Sequence, residues 1–293
     1  MNEQGSILIT AVWVISIFSV MTTSLAFHAG QEVFLMKREL SGLQGRMDFT
    51  SGLNETVRMI QEDPSPHEDS KDKPWLGDWK PEGTLGARLS IHVEDEESKL
   101  NLNNASAAFL SAFLKEYETE FGSLKGDRKA YVQAILKLRY EKRIESLEEL
   151  LFLDDFKKED LVPLKKYLTV YPDSPFLNPN TASPLMLRAL VRSLSADHAS
   201  KQMLIGRLEE ACQDHGCFFS SKELAPEVFA EKLKLPKTPL LLQAVQEFVT
   251  ALTTDSETFL IAMTSTEGPE ASGVFHCRVG QTRPEVYGWH ENI

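Results

Sequence analysis

The chain has 293 residues, with 43 acidic against 31 basic side chains and a formal net charge of −12. That acidity disfavours nucleic acid and anionic lipid as main partners of the soluble part, and three cysteines form no extended disulfide framework. More than two hundred residues follow the first sixty, enough for a real core in two lobes.

The chain begins MNEQGSILITAVWVISIFSVMTTSLAF, and no Asp, Glu, Lys or Arg lies between Ser6 and Gln31. Ser6–Phe27 matches the ~20 residues that cross a bilayer as a helix. A secretory signal would place its cleavage after Ser24-Leu25-Ala26, but the leader has Glu3 and no basic residue, and the run exceeds the ~7–15 residues of an ordinary apolar signal core. Beyond Gly30 the apolar positions become periodic: Val33, Met36, Leu40, Leu43, Met47, Leu53, Val57 and Ile60 share one helical stripe. One continuous helix is predicted over 6–60, transmembrane over 6–27 and amphipathic afterwards, about 80 Å long. Gly42, Gly45 and Gly52 weaken it and allow bending or close helix approach.

Residues 61–86 are polar and rich in Pro and Gly and read as a loop, with Trp75 and Trp79 as packing anchors. Leu89, Ile91 and Val93 alternate with polar residues as a strand, and Leu100 and Leu102 mark a second short strand. Between them Glu94-Asp95-Glu96-Glu97 reads as a solvated acidic turn, with Ca²⁺ binding as the functional alternative. Asn101 and Asn103 are expected to bond neighbouring loops from one side of the strand.

From about 104 to 252 the pattern is helical. Tyr131, Ile135 and Leu138 mark one helix, Leu204, Leu208 and Ala211 another, and Leu241, Val245 and Phe248 the last. Ser146 and Glu149 form a capping-box pattern, and Asn180 and Thr181 are expected to cap the helix that starts near Ser183-Pro184. Cys212 and Cys217 can close a small disulfide loop that leaves Cys277 free; the rival reading is a metal site from Cys212, Asp214, His215 and Cys217. The period then changes to two. ETFLIAMTS and ASGVFHCRV flank a turn at 266–270, and PEVYGW follows Arg283, giving an antiparallel meander. The first strand pair and these C-terminal strands are expected to share one sheet on the long helix, an α+β fold with a large helical insertion.

The short polar leader ending in Gly5, the apolar half-helix and the amphipathic half-helix resemble a type IV pilin-like precursor. The resemblance implies cleavage by prepilin peptidase between Gly5 and Ser6, with Ser6 as the new amino terminus. Most pilins carry Phe at the first mature position and Glu at the fifth, where this chain has Ser6 and Thr10. Asp95, Lys99, Leu100, Asn101, Leu102 and Asn103, then Ser146, Glu149 and Leu150, then Leu177, Asn178, Asn180, Thr181 and Ala182 sharpen the match. In that order they look like the type II secretion minor pseudopilin K family. The family lacks the Glu at the fifth mature position, which makes Thr10 the mark of a tip subunit.

That resemblance implies a pilin-like domain divided as leader (1–5), N-terminal helix (6–60), loop and first strands (61–103), SAM-like helical insertion (104–252) and C-terminal strands (253–293). It implies a single-pass inner-membrane protein with its soluble domain in the periplasm. Its implied partners are the I and J minor pseudopilins, the major pseudopilin, the inner-membrane secretion platform and prepilin peptidase. Some members bind calcium; no EF-hand spacing is present and no ligands are assigned. Other readings are a minor pilin of a type IV pilus or competence system, a helix-hairpin-helix binder around Leu194-Ser195-Ala196, and an enzyme. The hairpin lacks glycines, and the sequence offers no G-x-S-x-G, H-E-x-x-H or phosphate loop, only scattered histidines such as His28, His67, His92, His198, His276 and His290.

Overall fold

The computed structural model describes residues 3–65, 68–154, 156–171, 174–215, 218–266, 272–279 and 284–292. The predicted continuous helix is α1 (Glu3–Gln61), about 90 Å long at 1.5 Å per residue. Among the described residues, nothing covers its most apolar stretch. Only the last third touches the rest of the protein, where Phe49, Thr56, Val57 and Ile60 are buried.

That end of α1 lies on a five-stranded antiparallel sheet in the order β1-β2-β5-β6-β7. The strands are β1 (Gly77–Trp79), β2 (Leu89–Asp95), β5 (Thr258–Ser265), β6 (Ser272–Val279) and β7 (Pro284–Asn292). The alternation read from the sequence sets the sheet's inner face: Leu89, Ile91 and Val93 point inward, as do Phe259, Ile261, Met263, Phe275 and Cys277. The register places Ile91 opposite Met263, Val93 opposite Ile261 and Ile261 opposite Phe275, so the apolar side chains stack across three strands. Trp75 seals the end of this core, edge-on to Phe259 at 5.2 Å with its indole N–H donating to Asp63 at 3.2 Å. Its role as a packing anchor follows from that geometry. The expected 266–270 turn falls mostly outside the described residues.

Gly52 is what lets α1 lie this close. A Cβ at that position would stand 2.5 Å from the Leu89 side chain and 3.1 Å from the sulfur of Met263. Gly45, one face removed, would meet nothing within 4 Å.

A second core fills the space between β2 and β5 in sequence. It contains β3 (Leu100–Asn101), α3 (Ala107–Phe121), α4 (Arg128–Glu141), α5 (Lys158–Leu164), β4 (Leu168–Thr169), α6 (Pro184–Ser193), α7 (His198–His215), α8 (Pro226–Lys232) and α9 (Pro239–Val249). Its buried residues run from Leu100 to Leu252, whereas those of the sheet core come from 49–93 and 259–277. Phe113, Tyr131, Leu190, Phe229 and Phe248 are all within the helical core. Asp160 fixes one corner by accepting from the Tyr131 hydroxyl at 2.6 Å and the Lys125 amide at 2.8 Å. Ser106 and Asp127 cap α3 and α4, and the Ser146–Glu149 box opens a 3₁₀ turn over Leu147–Phe152.

Four expectations need correction. Leu100–Asn101 does not join the main sheet: β3 pairs in parallel with β4 and belongs to the helical core. A two-residue alternation carries no information on which partner it will find. The 61–86 segment is not all loop, because Gly77–Trp79 adds strand β1 to β2 and α2 (Gly83–Arg88) forms a helical turn directly before β2. The cap of α6 is Ser183, whose hydroxyl accepts from the Met186 amide at 3.3 Å, not Asn180 or Thr181. The acidic run 94–97 is not a solvated turn: Asp95, Glu96 and Glu97 are buried.

Placing Val at Gly52 should lower the unfolding free energy of the full chain in detergent by about 1–3 kcal/mol through overpacking. Gly45→Ala should instead be neutral or stabilising by up to about 1 kcal/mol. Denaturant midpoints of the two variants provide the check, and equal effects would contradict the close-approach role of Gly52.

Candidate functional site at the junction of the two cores

The chain crosses from the sheet core into the helical core just after β2 and returns just before β5. Both crossings meet at one buried polar cluster. Asp95, the last residue of β2, turns its carboxylate to the Glu97 amide at 2.8 Å through Oδ1. Its Oδ2 accepts from Asn178 Nδ2 at 3.0 Å, from Ser256 Oγ at 2.7 Å and from the Thr181 hydroxyl. Asn178 is completely buried. Its backbone N–H donates to the Glu97 carbonyl at 2.9 Å, and its side-chain Oδ1 accepts from the Asn180 amide at 3.0 Å. The neighbouring Leu177 bridges Leu252 through Leu177 N–H to Ala251 O (2.9 Å) and Thr253 N–H to Leu177 O (3.0 Å).

The returning segment is held from below. Ser256 N–H donates to Asp69 Oδ2 at 2.8 Å, and Asp69 N–H donates to Thr254 O at 2.8 Å. Glu97 accepts from the Thr258 amide at 3.2 Å and lies against Asp95. Asn180 extends the network inward by exchanging two bonds with the backbone of Phe219, at 2.7 and 2.9 Å. Asn103 ties the far side by bonding Ile144 and Val170, as its position in the sequence suggested.

The structure therefore brings together two motifs that are 83 residues apart at Asp95 and Asn178. The sequence places Asp95 in an acidic turn and marks Asn178 only within the motif that carries the resemblance, with nothing to link the two. That reading misses Asp69 and Ser256, and it places Glu97 only in a solvated acidic turn. A lone Asp in a Pro-rich loop and a Ser before a strand carry no local mark of burial.

The charges divide into two sets. Glu94 and Glu96 are neutralised by Lys99, whose ammonium lies 2.6 and 2.8 Å from them. Burial works against that ammonium, but the Glu96 and Glu94 carboxylates outweigh it and hold its pKa above the ordinary lysine value. Asp69, Asp95 and Glu97 face hydroxyls, amides and backbone N–H groups instead. Burial pushes Asp69 up to about 7, against the bond from Ser256 and with help from the Asp95 charge. It also raises Asp95, despite the Thr181, Ser256 and Glu97 donors. Glu97 is raised well above the carboxylate range by burial and then by Asp95.

This donor set does not fit calcium. The oxygens of Asp95 are aimed at N–H and O–H groups, whose positive ends would face a cation, and Glu94 and Glu96 are committed to Lys99. Among the described residues no three His, Cys, Asp or Glu side chains are grouped to hold a metal ion. Beside the cluster a cleft of about 440 Å³ is lined by Lys71, His92, Lys99, Tyr167 and Thr181. His92 is held at its rim by Asp78 at 2.7 Å and Glu94 at 3.1 Å.

The other sequence-predicted positions lie apart from this cluster. Gly5, Ser6 and Thr10 are in the first turns of α1. Cys212 is disulfide-bonded and Cys277 is a buried free thiol. A disulfide-bonded Cys212 is no thiolate ligand, which removes one member of the proposed metal set. Cys217 lies outside the described residues, and its pairing with Cys212 remains a proposal. At the hairpin between α6 and α7, the Ser195 N–H donates to Glu247 at 2.9 Å. A carboxylate already occupies the position that a phosphate would need.

A long helix on a small antiparallel sheet, with a helical body inserted between the second strand and the meander, defines a pilin-like α+β fold. The chain is similar in fold to a chain in the crystal structure of the GspK–GspI–GspJ complex from the enterotoxigenic Escherichia coli type 2 secretion system. The TM-score is 0.59, over 87% of this chain and 99% of that one, at 12% identity. No protein-family model and no curated protein matches the sequence. At this identity the likeness is one of fold: the chain has a GspK-like pseudopilin fold.

Asn178→Ala should lower the unfolding free energy by about 3 kcal/mol, because it strands buried partners. Asn178→Asp should cost more, and the gap between the two should widen as pH rises and the new carboxylate ionises beside Asp95. Denaturant titrations at several pH values check both. Equal losses at every pH would show that Asp95 carries no charge the substitution can oppose.

Proposed function

We propose that this chain is a minor pseudopilin of a type II secretion system, placed at the pseudopilus tip, where it initiates or caps assembly for export of folded proteins. The carrying observation is the state of α1. Val33, Met36, Leu40, Leu43 and Met47 lie beyond the membrane-length run and before the sheet, and each is more than half exposed. Between Phe27 and Phe49 the helix spans about 30 Å. Apolar side chains repeated at helical spacing over that distance call for other helices to cover them. The fold likeness to a complex that holds GspI and GspJ supports the I and J minor pseudopilins as those partners, and the major pseudopilin and the inner-membrane platform follow from the proposed role.

Ser6–Phe27 anchors the precursor in the inner membrane, with the soluble lobes in the periplasm. Prepilin peptidase cuts between Gly5 and Ser6. Thr10 takes the place where an interior pilin carries Glu, which suits a subunit that receives no neighbour above it. The helical core adds bulk next to the sheet and would obstruct a further subunit at that end.

Amino-terminal sequencing and mass of the membrane-extracted protein should give a mature start at Ser6, and Gly5→Arg should leave the leader attached. A start at Phe27 would make the run a signal peptide and remove the assembly reading. In co-purification from the native bacterium, the wild-type chain and Thr10→Glu should both retain the I and J subunits. Capture of type IV minor pilins in their place would transfer the chain to a pilus.

A further inference from the structure

The apolar positions of α1 do not keep to one side of it. At about 3.6 residues per turn, Val33, Met36, Leu40, Leu43 and Met47 fall within a fan of about 80°. The residues of α1 buried against the sheet, Phe49, Gly52, Thr56, Val57 and Ile60, centre about 150° away. The first set therefore lies on the back of the helix, and the two sets part at the step of six from Met47 to Leu53. What reads in sequence as one stripe is two, one for the chain's own sheet and one facing away from it.

The back set has the spacing of a coiled-coil seam. Its steps are three, four, three and four, so Val33, Leu40 and Met47 hold the a positions of a heptad and Met36 and Leu43 the d positions. Phe34 and Leu35 continue the all-round apolar character of the membrane run. From Lys37 to Asp48 the only large apolar side chains are Leu40, Leu43 and Met47, and all three are in the seam. A strict a and d seam is narrow, the width that one partner helix covers.

The seam stops at Met47. The same heptad continues through Thr50, Asn54 and Gln61, which are exposed and polar, and through Val57, which is buried against the sheet. The hydroxyl of Thr50 donates to the Arg46 carbonyl at 2.8 Å and that of Ser51 to the Met47 carbonyl at 2.7 Å. Arg58, also on the back, is paired with Glu55 at 2.6 Å and Glu62 at 2.9 Å. These groups are satisfied within the helix and ask nothing of a neighbour. The helical core comes up to this same end, where Phe218 lines a cleft with Met59 and Glu62.

We propose that the seam takes one helix of another subunit, membrane-anchored, parallel to α1 and basic opposite Glu39, and that this contact ends at Met47, leaving the back of α1 beside the sheet in water.

The position of the seam limits what can occupy it. Val33 follows Phe27, the end of the membrane-length run, by six residues or about 9 Å. A segment that covers Val33 must leave the bilayer beside it. On the pseudopilin reading, on which this partner rests, a neighbour anchored by its own N-terminal helix does so and runs parallel to α1. The flanking charges then select among such helices. Glu32, Glu39 and Arg46 hold g positions, and Lys37 and Gln44 hold e positions. In a parallel pair each g side chain meets the e side chain of the partner's next heptad. Against a second copy of this chain, Glu32 would meet Lys37, but Glu39 would meet Gln44. A partner with a basic residue opposite Glu39 and an acidic one opposite Lys37 completes both flanks.

The test uses the full chain in its native bacterium, with photo-reactive benzoylphenylalanine placed at one α1 position at a time. Adducts with another subunit should form at Leu40 and Leu43. They should be absent at Asn54 and Gln61, which continue the heptad, and at Gly45 on the opposite side. Leu40→Asp should abolish co-purification of that subunit while leaving the urea midpoint of the chain in detergent unchanged, since Leu40 is exposed and belongs to neither core. Glu39→Lys should weaken capture more than Glu39→Gln does. Adducts at Asn54 and Gln61 as strong as at Leu40 would overturn the end at Met47. Equal adducts at Gly45 and Leu40, or none at Leu40 and Leu43, would overturn the seam. An adduct between two copies of this chain, or equal capture by the two Glu39 variants, would overturn the stated partner. Capture of a type IV minor pilin at Leu40 and Leu43 would remove the assembly reading and leave the seam standing. Capture of the I or J subunit along the whole back of α1 would do the reverse.

Discussion

The bond between Asn178 and Asp95 ties the two cores of the chain at the point where it crosses between them. Among the described residues, the apolar core of the sheet and that of the helices share no buried side chain. Where β2 leaves and β5 returns, what joins them is polar, and a stacked Tyr171–His276 pair with centroids 3.6 Å apart adds an aromatic contact to β6. Asn suits the position because one side chain both donates to a carboxylate and accepts from a backbone amide, and here it does both without exposing an atom to water. A hydrophobic joint would have merged the cores into one rigid body. A polar joint keeps each core independent and places their relative seating under the control of a few hydrogen bonds.

α1 obeys the opposite logic. Its contact with the soluble lobes is apolar and confined to its final third, where Gly52 brings the helix axis down onto Leu89 and Met263. Above that point, among the described residues, no other element covers the apolar side chains of the helix. A single element thus belongs to three surroundings in succession: lipid, neighbouring helices and its own sheet. The composition changes with them, from uniformly apolar to a stripe and then to a stripe interrupted by a glycine.

These periodic features were legible in the sequence because each is written within a few residues. The alternation at Leu89, Ile91 and Val93 and the meander at 258–279 specify their own inner face. The helices of the insertion show their stripes, and Ser146 with Glu149 shows its cap. What was not legible is pairing at a distance. Leu100 and Leu102 look the same whether their strand joins β2's sheet or pairs with Leu168 and Thr169. The acidic run 94–97 looks solvated because its partners, Asn178 and Ser256, are 83 and 161 residues away from Asp95. Local composition gives the average fate of four acids in a row, and the average is exposure.

The two kinds of error share a cause that bears on how such a chain can diverge. An apolar stripe tolerates many sequences, since volume and period are all it needs. At 12% identity the likeness to the secretion complex persists in the fold over nearly the whole chain, which is what interchangeable apolar residues allow. A polar joint tolerates few, because each donor needs its acceptor in place and a single unmatched group is costly when buried. Asp95, Asn178 and Thr181 are among the residues that sharpened the resemblance. They are also the ones that the structure gathers at the joint. Among the residues that sharpen the resemblance, those at the joint are the ones whose chemistry leaves least room for substitution, because each buried donor there needs its acceptor.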